Sequence, residues 1–427
     1  MADADTIYAL SSGSPPAAIA VVRISGPAAS TAMAALAGRL PEPRHASLGT
    51  LCDPGSGELL DRALRLWFPG RGSSTGEDLA ELHLHGGRSV VAGVLAALSG
   101  LAGLRAAEPG EFTRRAFQNG RIDLAEAEGL ADLLTAETRS QRRAALMLAG
   151  GALSRMVEEW QTRLLGLSAQ LEAVLDFSDE GDVEGTLPAG WADALTSLRL
   201  AIGAALARPT AERLRDGIRV VIAGPPNAGK STLLNALAGR DAAITSSIPG
   251  TTRDLVEAPT AIGGVPFVLV DTAGLRDSED EIEAIGVERA QQSLAAADLV
   301  LWLGEPEDCP TAGAIRVQPK ADLAKHGGRS DIAVSAKTGA GMDKLVSLLI
   351  ERSKSLLPAE GEVALNARHA AILRECLSSL QAAAAARNPL IASEELRVTR
   401  AALDRVTGRA GVEDMLDALF GRFCIGK

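Results

Sequence analysis

Aromatic side chains make up only 3% of this 427-residue chain, so leucine, valine and alanine must fill its cores, and the 46% of hydrophobic residues suffices for that. Cysteine is scarce too. Cys52, Cys309, Cys376 and Cys424 are widely spaced, which excludes a disulfide framework, shows no metal-ligand spacing and fits a reduced, cytoplasmic setting. No apolar run approaches a membrane span, and the acidic start Met1-Ala2-Asp3-Ala4-Asp5 leads into no signal-like segment. Positive charge is in deficit. A formal net charge of −11 excludes a surface coated for nucleic acid. Two local clusters, Arg114-Arg115 and Arg139, Arg142 and Arg143, remain either phosphate contacts or solvated helix faces.

What is present divides the chain by pattern. Ala18–Ile24, Leu64–Phe68 and Leu79–Leu84 read as strands and Ser89–Leu98 as a helix, a small α+β domain over 1–118. From Leu124 onward leucines recur at helical spacing, broken at Gly150-Gly151, and a further helix spans Trp191–Leu206, giving a helical segment over 119–214. A compact α/β segment follows over 215–354, then a second helical segment over 355–427. The expected architecture is multidomain α/β: an α+β N-terminal domain and a split all-α domain with an inserted P-loop α/β domain. Two separate helical bundles are the alternative.

Gly224 to Ser231 read Gly-Pro-Pro-Asn-Ala-Gly-Lys-Ser between a buried strand-like run and a helix-forming run. Glycines let successive N–H groups, with the helix N-terminus, cradle phosphates. Lys230 would reach the terminal phosphates and Ser231 would ligate Mg²⁺. Gly250-Thr251-Thr252-Arg253-Asp254 offers threonine hydroxyls to the metal and the γ-phosphate, and Asp271-Thr272-Ala273-Gly274 closes a strand with a carboxylate placed to hold Mg²⁺ through water. Pro319-Lys320-Ala321-Asp322 stands where Asn-Lys-x-Asp reads guanine. Asp322 keeps the acceptor that guanine's N–H groups require and adenine cannot satisfy, while Pro319 lacks the amide. Ser335-Ala336-Lys337 fits the loop that closes over the base. About ten residues separate Leu303 from Ala314, so a helix usually found there is shortened or missing. Leu275 stands where a water-orienting glutamine is usual, leaving Glu279, Asp280, Glu281 or Glu283 to position water. Asn227 can help bind a monovalent cation where an arginine finger would act.

These residues resemble the MnmE (TrmE) family of tRNA-modifying GTPases, and the match continues outside the nucleotide motifs. It includes Asp5-Thr6-Ile7, Val22-Arg23-Ile24-Ser25-Gly26, Gly76-Glu77-Asp78, His85-Gly86-Gly87, Pro109-Gly110-Glu111-Phe112-Thr113, Asp123-Leu124-Ala125-Glu126 and the terminal Phe423-Cys424-Ile425-Gly426-Lys427. The resemblance implies a folate-binding N-terminal domain that makes a homodimer, and a GTP/GDP site. That site would use Asn227, Ala228, Gly229, Lys230, Ser231, Thr232, Ser246, Ser247, Ile248, Thr251, Thr252, Asp271, Thr272, Ala273, Gly274, Lys320, Asp322, Ser335, Ala336 and Lys337. It implies Mg²⁺ on Ser231 and Thr252, K⁺ on Asn227, Ser246, Ile248 and Thr251, and Glu283 with Lys230 in catalysis. 5-Formyltetrahydrofolate would fall to Arg23, Glu81, Arg121 and Lys427. The implied partners are the FAD-dependent MnmG and tRNA, whose wobble uridine is modified at carbon 5, with no membrane involved. Cys424 is either a nucleophile in that chemistry or a small residue shaping the pocket. His83 and His85 share a strand face, as metal ligands lacking a third or as part of the folate edge. A GTP-driven binding switch without modification chemistry is the alternative function, and it has no need of the folate residues.

Overall fold

The computed structural model describes residues 5–177, 189–239, 257–272, 291–323, 330–410, 413–421 and 423–427. The chain divides into two compact units, Met1–Ala131 with Thr407–Lys427, and Asp132–Val406.

Among its described residues the first unit carries six strands: β1 (Thr6–Leu10), β2 (Ile19–Ser25), β3 (Ser47–Cys52), β4 (Leu59–Phe68), β5 (Leu79–His85) and β6 (Leu104–Ala106). They form one sheet in the order β3-β4-β5-β2-β1-β6, antiparallel except for the β1–β6 pair. Alternation along each strand sorts the faces. Ala20, Val22 and Ile24 of β2 are buried with Leu82 and Leu84 of β5 under α1 (Ala29–Ala37) and α2 (Arg88–Ser99). Arg23 alternates to the other face, where the register sets it opposite Glu81.

Next come α3 (Glu111–Gln118) and α4 (Leu124–Thr135). The chain returns to this unit through the helix Glu413–Phe420, and the scarce aromatics concentrate here. Phe420 lies 6.3 Å from Phe117 and 6.1 Å from Phe423, ring centre to ring centre. Gly110 permits the close approach: its φ is 70°, and a Cβ there would stand 2.3 Å from the Phe420 carbonyl oxygen. Ile425 then bridges to Pro109.

The second unit holds α5 (Arg139–Ala149), α6 (Ala152–Phe177), α7 (Trp191–Leu206) and α8 (Glu212–Asp216). Helix α5 starts at a capping box in which Thr138 and Gln141 satisfy each other's backbone N–H groups. Along α6 the buried residues Leu153, Val157, Trp160, Leu164, Leu167 and Leu171 make one apolar stripe. The second sheet follows with β7 (Ile218–Ala223), α9 (Lys230–Ala238), β8 (Glu257–Ile262), β9 (Val265–Asp271), β10 (Leu299–Trp302), β11 (Ile315–Gln318) and β12 (Ile332–Ala333). Its order is β12-β11-β10-β7-β9-β8, parallel throughout except for β8. Strand β7 is apolar almost end to end because both faces are covered. Helix α10 (Met342–Ser353) packs its Leu345 and Leu349 into that core.

Helices α11 (Ala367–Ala385) and α12 (Pro389–Thr407) close the unit. Helix α7 packs on both α6 and α11. Trp191 Nε1 donates to the Leu167 carbonyl at 3.1 Å, and Gln161 Nε2 donates to Asp404 Oδ1 at 2.8 Å. Helices on either side of the inserted sheet thus form one body, not two bundles. Between β10 and β11 only a short 3₁₀ turn, Pro306–Asp308, occupies the place of the missing helix. Among the described residues, no helix is long and apolar enough to cross a membrane.

Candidate functional site

The phosphate loop leaves the C-terminal edge of β7 beside β9 and β10, at the crevice where such sheets bind ligands. Gly224 is in a backbone conformation that favours glycine (φ 150°), with the Leu303 backbone within 3.1 Å of where a Cβ would stand. Asn227 (φ 60°) and Gly229 (φ 95°) complete the curl before α9 begins at Lys230. Lys230 is buried, and its Nζ spans the loop, donating to the carbonyls of Gly224 at 3.0 Å and Pro225 at 2.9 Å. Ala228 packs against the sheet core, and Thr232 is exposed on the first turn of α9.

Ser231 Oγ donates to Asp271 Oδ2 at 2.5 Å. A hydroxyl and a carboxylate side by side are hard oxygen donors, which fits Mg²⁺. The Thr272 hydroxyl points elsewhere, donating to the Ile222 carbonyl at 3.0 Å. Asn227 is exposed, and its side-chain amide bonds to no described residue, leaving its oxygen open to a cation. The other expected ligands Ser246, Ile248, Thr251 and Thr252 lie outside the described residues, as do Ser247, Ala273, Gly274 and Glu283.

On the base side, Lys320 Nζ donates to the Asn227 carbonyl at 2.8 Å. The Asp322 carboxyl is held below the usual carboxylate range, first by a hydrogen bond from Ser335 and also by the Lys337 charge. It is therefore anionic at neutral pH and suited to accept guanine N–H groups. Ser335 is buried, and its loop is pinned where Gly341 approaches the Ala333 carbonyl too closely for any Cβ. Ala336 is half-buried in the same loop. Pro319 faces a cavity of about 750 Å³ shared with Gly224, Leu303 and Gly304, beside the turn that replaces the missing helix.

In the first unit, Arg23 Nε donates to Glu81 Oε1 at 2.8 Å, and His83 Nε2 stands 3.2 Å from Glu81 Oε2. Burial raises the affinity of the Glu81 carboxyl for its proton. The His83 hydrogen bond and the Arg23 charge outweigh that and hold it below its ordinary value. His85 instead bonds Asp61, at 2.7 Å, so the two histidines do not converge. The C-terminal residues lie against β1: Gly426 (φ 93°) would put a Cβ 2.2 Å from the Leu10 carbonyl oxygen. Leu10 pairs with Val22, and Ala9 pairs with Arg23. Arg121 stands against Gly76, in the loop before β5. The side chains of Arg121 and Lys427 bond to no described residue. Cys424 is exposed rather than buried.

The family model for the MnmE helical domain matches residues 124–424, and that for the GTP-binding protein TrmE N-terminus matches residues 6–121. The chain belongs to the MnmE family. A tRNA modification GTPase MnmE of Rhizorhabdus wittichii is 60% identical over 427 residues, covering 99% of this chain and 97% of that protein. Its counterpart in Novosphingobium aromaticivorans is 58% identical over 436 residues, covering 99% of this chain and all of that protein. Among solved structures, the G domain of the T. maritima FeoB iron transporter is 23% identical over 32% of this chain and 98% of that one, with a TM-score of 0.24.

Two features of this MnmE-family chain escaped the sequence reading. One is the Lys320–Asn227 tie, for which a sequence separation of 93 leaves no local signal. The other is a buried ionic cluster in which Arg115 meets Asp5 at 2.7 Å, Glu111 at 3.0 Å and Glu77 at 3.2 Å. Its one readable trace is the i, i+4 spacing of Glu111 and Arg115.

Proposed function

We propose that this MnmE-family GTPase of tRNA modification hydrolyses GTP in a potassium-stimulated reaction. Together with the FAD-dependent MnmG it would install a group at carbon 5 of the wobble uridine of certain tRNAs, using a formyl-tetrahydrofolate-type donor. The observation that carries the nucleotide half is the meeting of Ser231 and Asp271 beside a phosphate loop whose Asn227 presents an unbonded amide. Ser231 and Thr252 would hold Mg²⁺, while Asn227, Ser246, Ile248 and Thr251 would hold K⁺. When bound, the two ions supply positive charge at the phosphate oxygens, the service an arginine finger performs elsewhere. Lys230 binds the terminal phosphates, Asp322 reads the base, and Glu283 orients the attacking water.

The folate half rests on Arg23, Glu81, Arg121 and Lys427. Glu81, ionised and held by Arg23, accepts from pterin N–H groups, and the free cations receive the glutamyl carboxylates. The domains follow 1–118 for folate and homodimer formation, 119–214 and 355–427 for the helical domain, and 215–354 for the GTPase domain. Cytoplasmic tRNA is the substrate. Nucleoside analysis of tRNA from a strain lacking this gene tests the reading. Loss of the carbon-5 substituent at the wobble uridine is expected, and unmodified behaviour of the strain, with tRNA unchanged, refutes the tRNA role.

A further inference from the structure

The two faces of the inserted sheet are covered unequally. On one face a large cluster of buried residues packs under α9 and α10. Parallel strands are normally buried on both faces. On the other face, among the described residues, the core is Ala223, Val300 and Ala314, with Leu294, Ala297, Trp302 and Cys309 partly buried beside it. Alternation along β11 shows where the cover runs out: Ile315 and Val317 are buried, whereas Arg316 and Gln318 are only half-buried. The turn Pro306–Asp308 stands between β10 and β11 in place of a helix, and beside it lies the cavity of about 750 Å³. Its walls are apolar and stiff, with Pro225 and Pro226 of the phosphate loop, Trp302, Pro306 and Pro319 among them. The indole is held in place. Trp302 Nε1 donates to the Glu305 carbonyl at 2.7 Å, and a Cβ on Gly304 would stand 2.6 Å from the ring. Arg316, also in the wall, is paired with Asp331 at 2.7 Å. The rim is acidic: Glu305, Glu307 and Asp308 are exposed, and none of them makes an ion pair among the described residues.

We propose that this face is the docking site for a basic amphipathic helix of a partner protein. The helix completes the cover of β10 and β11. Its apolar residues at i, i+3, i+4 and i+7 enter the cavity against Trp302 and the prolines, and its lysines or arginines face Glu305, Glu307 and Asp308. A rigid, half-buried tryptophan is the kind of anchor that dominates such a surface. The carboxylates set the sign of the partner, because they repel a phosphate backbone and attract a cationic chain. Pro225 and Pro226 belong to the phosphate loop, so the docked helix lies against the outer wall of the nucleotide site. The proposal is independent of the potassium and folate readings.

Two labelled synthetic peptides of about 14 residues serve as probes on the full-length protein. Both carry leucine at i, i+3, i+4 and i+7; one has lysine on its opposite face and its twin has glutamate there. Fluorescence anisotropy reads binding, and amide hydrogen exchange locates it. The lysine peptide should bind saturably, at least about tenfold tighter than its twin, and slow exchange at residues 302–308 and 315–318. The double variant Glu307→Lys, Asp308→Lys changes two exposed side chains of a turn, and its preference between the two peptides should reverse. Trp302→Ala should weaken the lysine peptide about tenfold or more. If Trp302→Ala does not fold, as read by its melting curve, the double variant decides alone. A lysine peptide that binds the wild type and the double variant equally is held elsewhere on a chain of net charge −11, which overturns the proposal. Failure of both peptides to bind overturns it as well, because the face is then closed within the chain. A sedimentation mass that falls from wild type to double variant assigns the face to a second copy of this chain and overturns the choice of partner.

Discussion

Gly426→Ala tests whether the C-terminal residues serve the proposed folate site. Gly426 has a φ of 93°, and a Cβ there would lie 2.2 Å from the Leu10 carbonyl oxygen, 2.8 Å from the Leu10 carbonyl carbon and 2.9 Å from Ser11 Cα. All three are backbone atoms of β1 and its exit, so no side-chain rotation relieves the contact. Left-handed backbone costs an alanine about 1–2 kcal/mol before any clash is counted. The last two residues must therefore lift away from β1. Phe423, which is 4% exposed and packed on Phe420, keeps the preceding segment in place. The substitution should move Lys427 away from β1 while changing the melting temperature by no more than about 4 °C, the shift that about 1 kcal/mol produces in a domain of this size. A charge-assisted hydrogen bond contributes about 1.5–3 kcal/mol, so affinity for 5-formyltetrahydrofolate should fall about 10- to 100-fold by calorimetric titration. GTP hydrolysis, located in the other unit, serves as the control and should hold. Unchanged folate affinity in a folded Gly426→Ala protein would refute the role assigned to Lys427.

Arg115→Met leaves Glu77 without its cation and leaves Asp5 and Glu111 to Arg105 alone, and removing one partner of a buried ion pair costs up to about 3–5 kcal/mol. The melting temperature of the N-terminal unit should drop accordingly. The pH dependence has a definite sign. Burial opposes ionisation of Glu111, but Arg105, the Glu108 N–H and Arg115 together hold its carboxyl below the ordinary value, and Arg105 and Arg115 do the same for Asp5. That stabilisation is present above the unfolded-state carboxyl value of about 4 and is lost as pH falls through the lower folded-state value. Melts of the wild type and Arg115→Met should therefore converge toward acid, and a constant gap down to pH 3 would contradict the ionic account. Asp322→Asn replaces an acceptor-only carboxylate with an amide that presents donors of its own, and GTP affinity should fall about 10- to 100-fold with little change for ATP. Equal losses for the two nucleotides would mean Asp322 does not read the base.

The inserted sheet was legible because its parallel strands are buried on both faces and read as short apolar runs, Val220–Ala223 and Phe267–Val270 among them. Helix α7 was read with its observed ends because its apolar stripe starts at Trp191 after Gly190 and runs unbroken. The gap between Leu303 and Ala314 was a matter of chain length alone, and the 3₁₀ turn there has the expected economy. Short edge elements were harder. Strands β3 and β6 carry too few buried residues to declare a period. The pairing of Lys320 with Asn227, the seating of Gly426 on Leu10 and the convergence of Asp5, Glu77 and Glu111 on Arg115 depend on tertiary closeness, which residue order does not encode locally. Of the candidate site, the residue types were readable from the motifs, but their division of labour was not. Thr272 is a case: its motif position suggests the nucleotide, and its hydroxyl serves β7.

The central claim is a guanine-reading GTPase in which a monovalent cation does the work of an arginine finger. Its most direct test is the steady-state hydrolysis of GTP and of ATP by the full-length protein with Mg²⁺, in matched potassium and sodium buffers. An arginine finger is worth about 10³–10⁵ in rate, so even partial replacement by the cation should show as a GTP rate at least about tenfold higher in potassium than in sodium, with ATP hydrolysed slowly in both. Equal GTP rates in the two salts, or ATP hydrolysed as fast as GTP, would contradict the account.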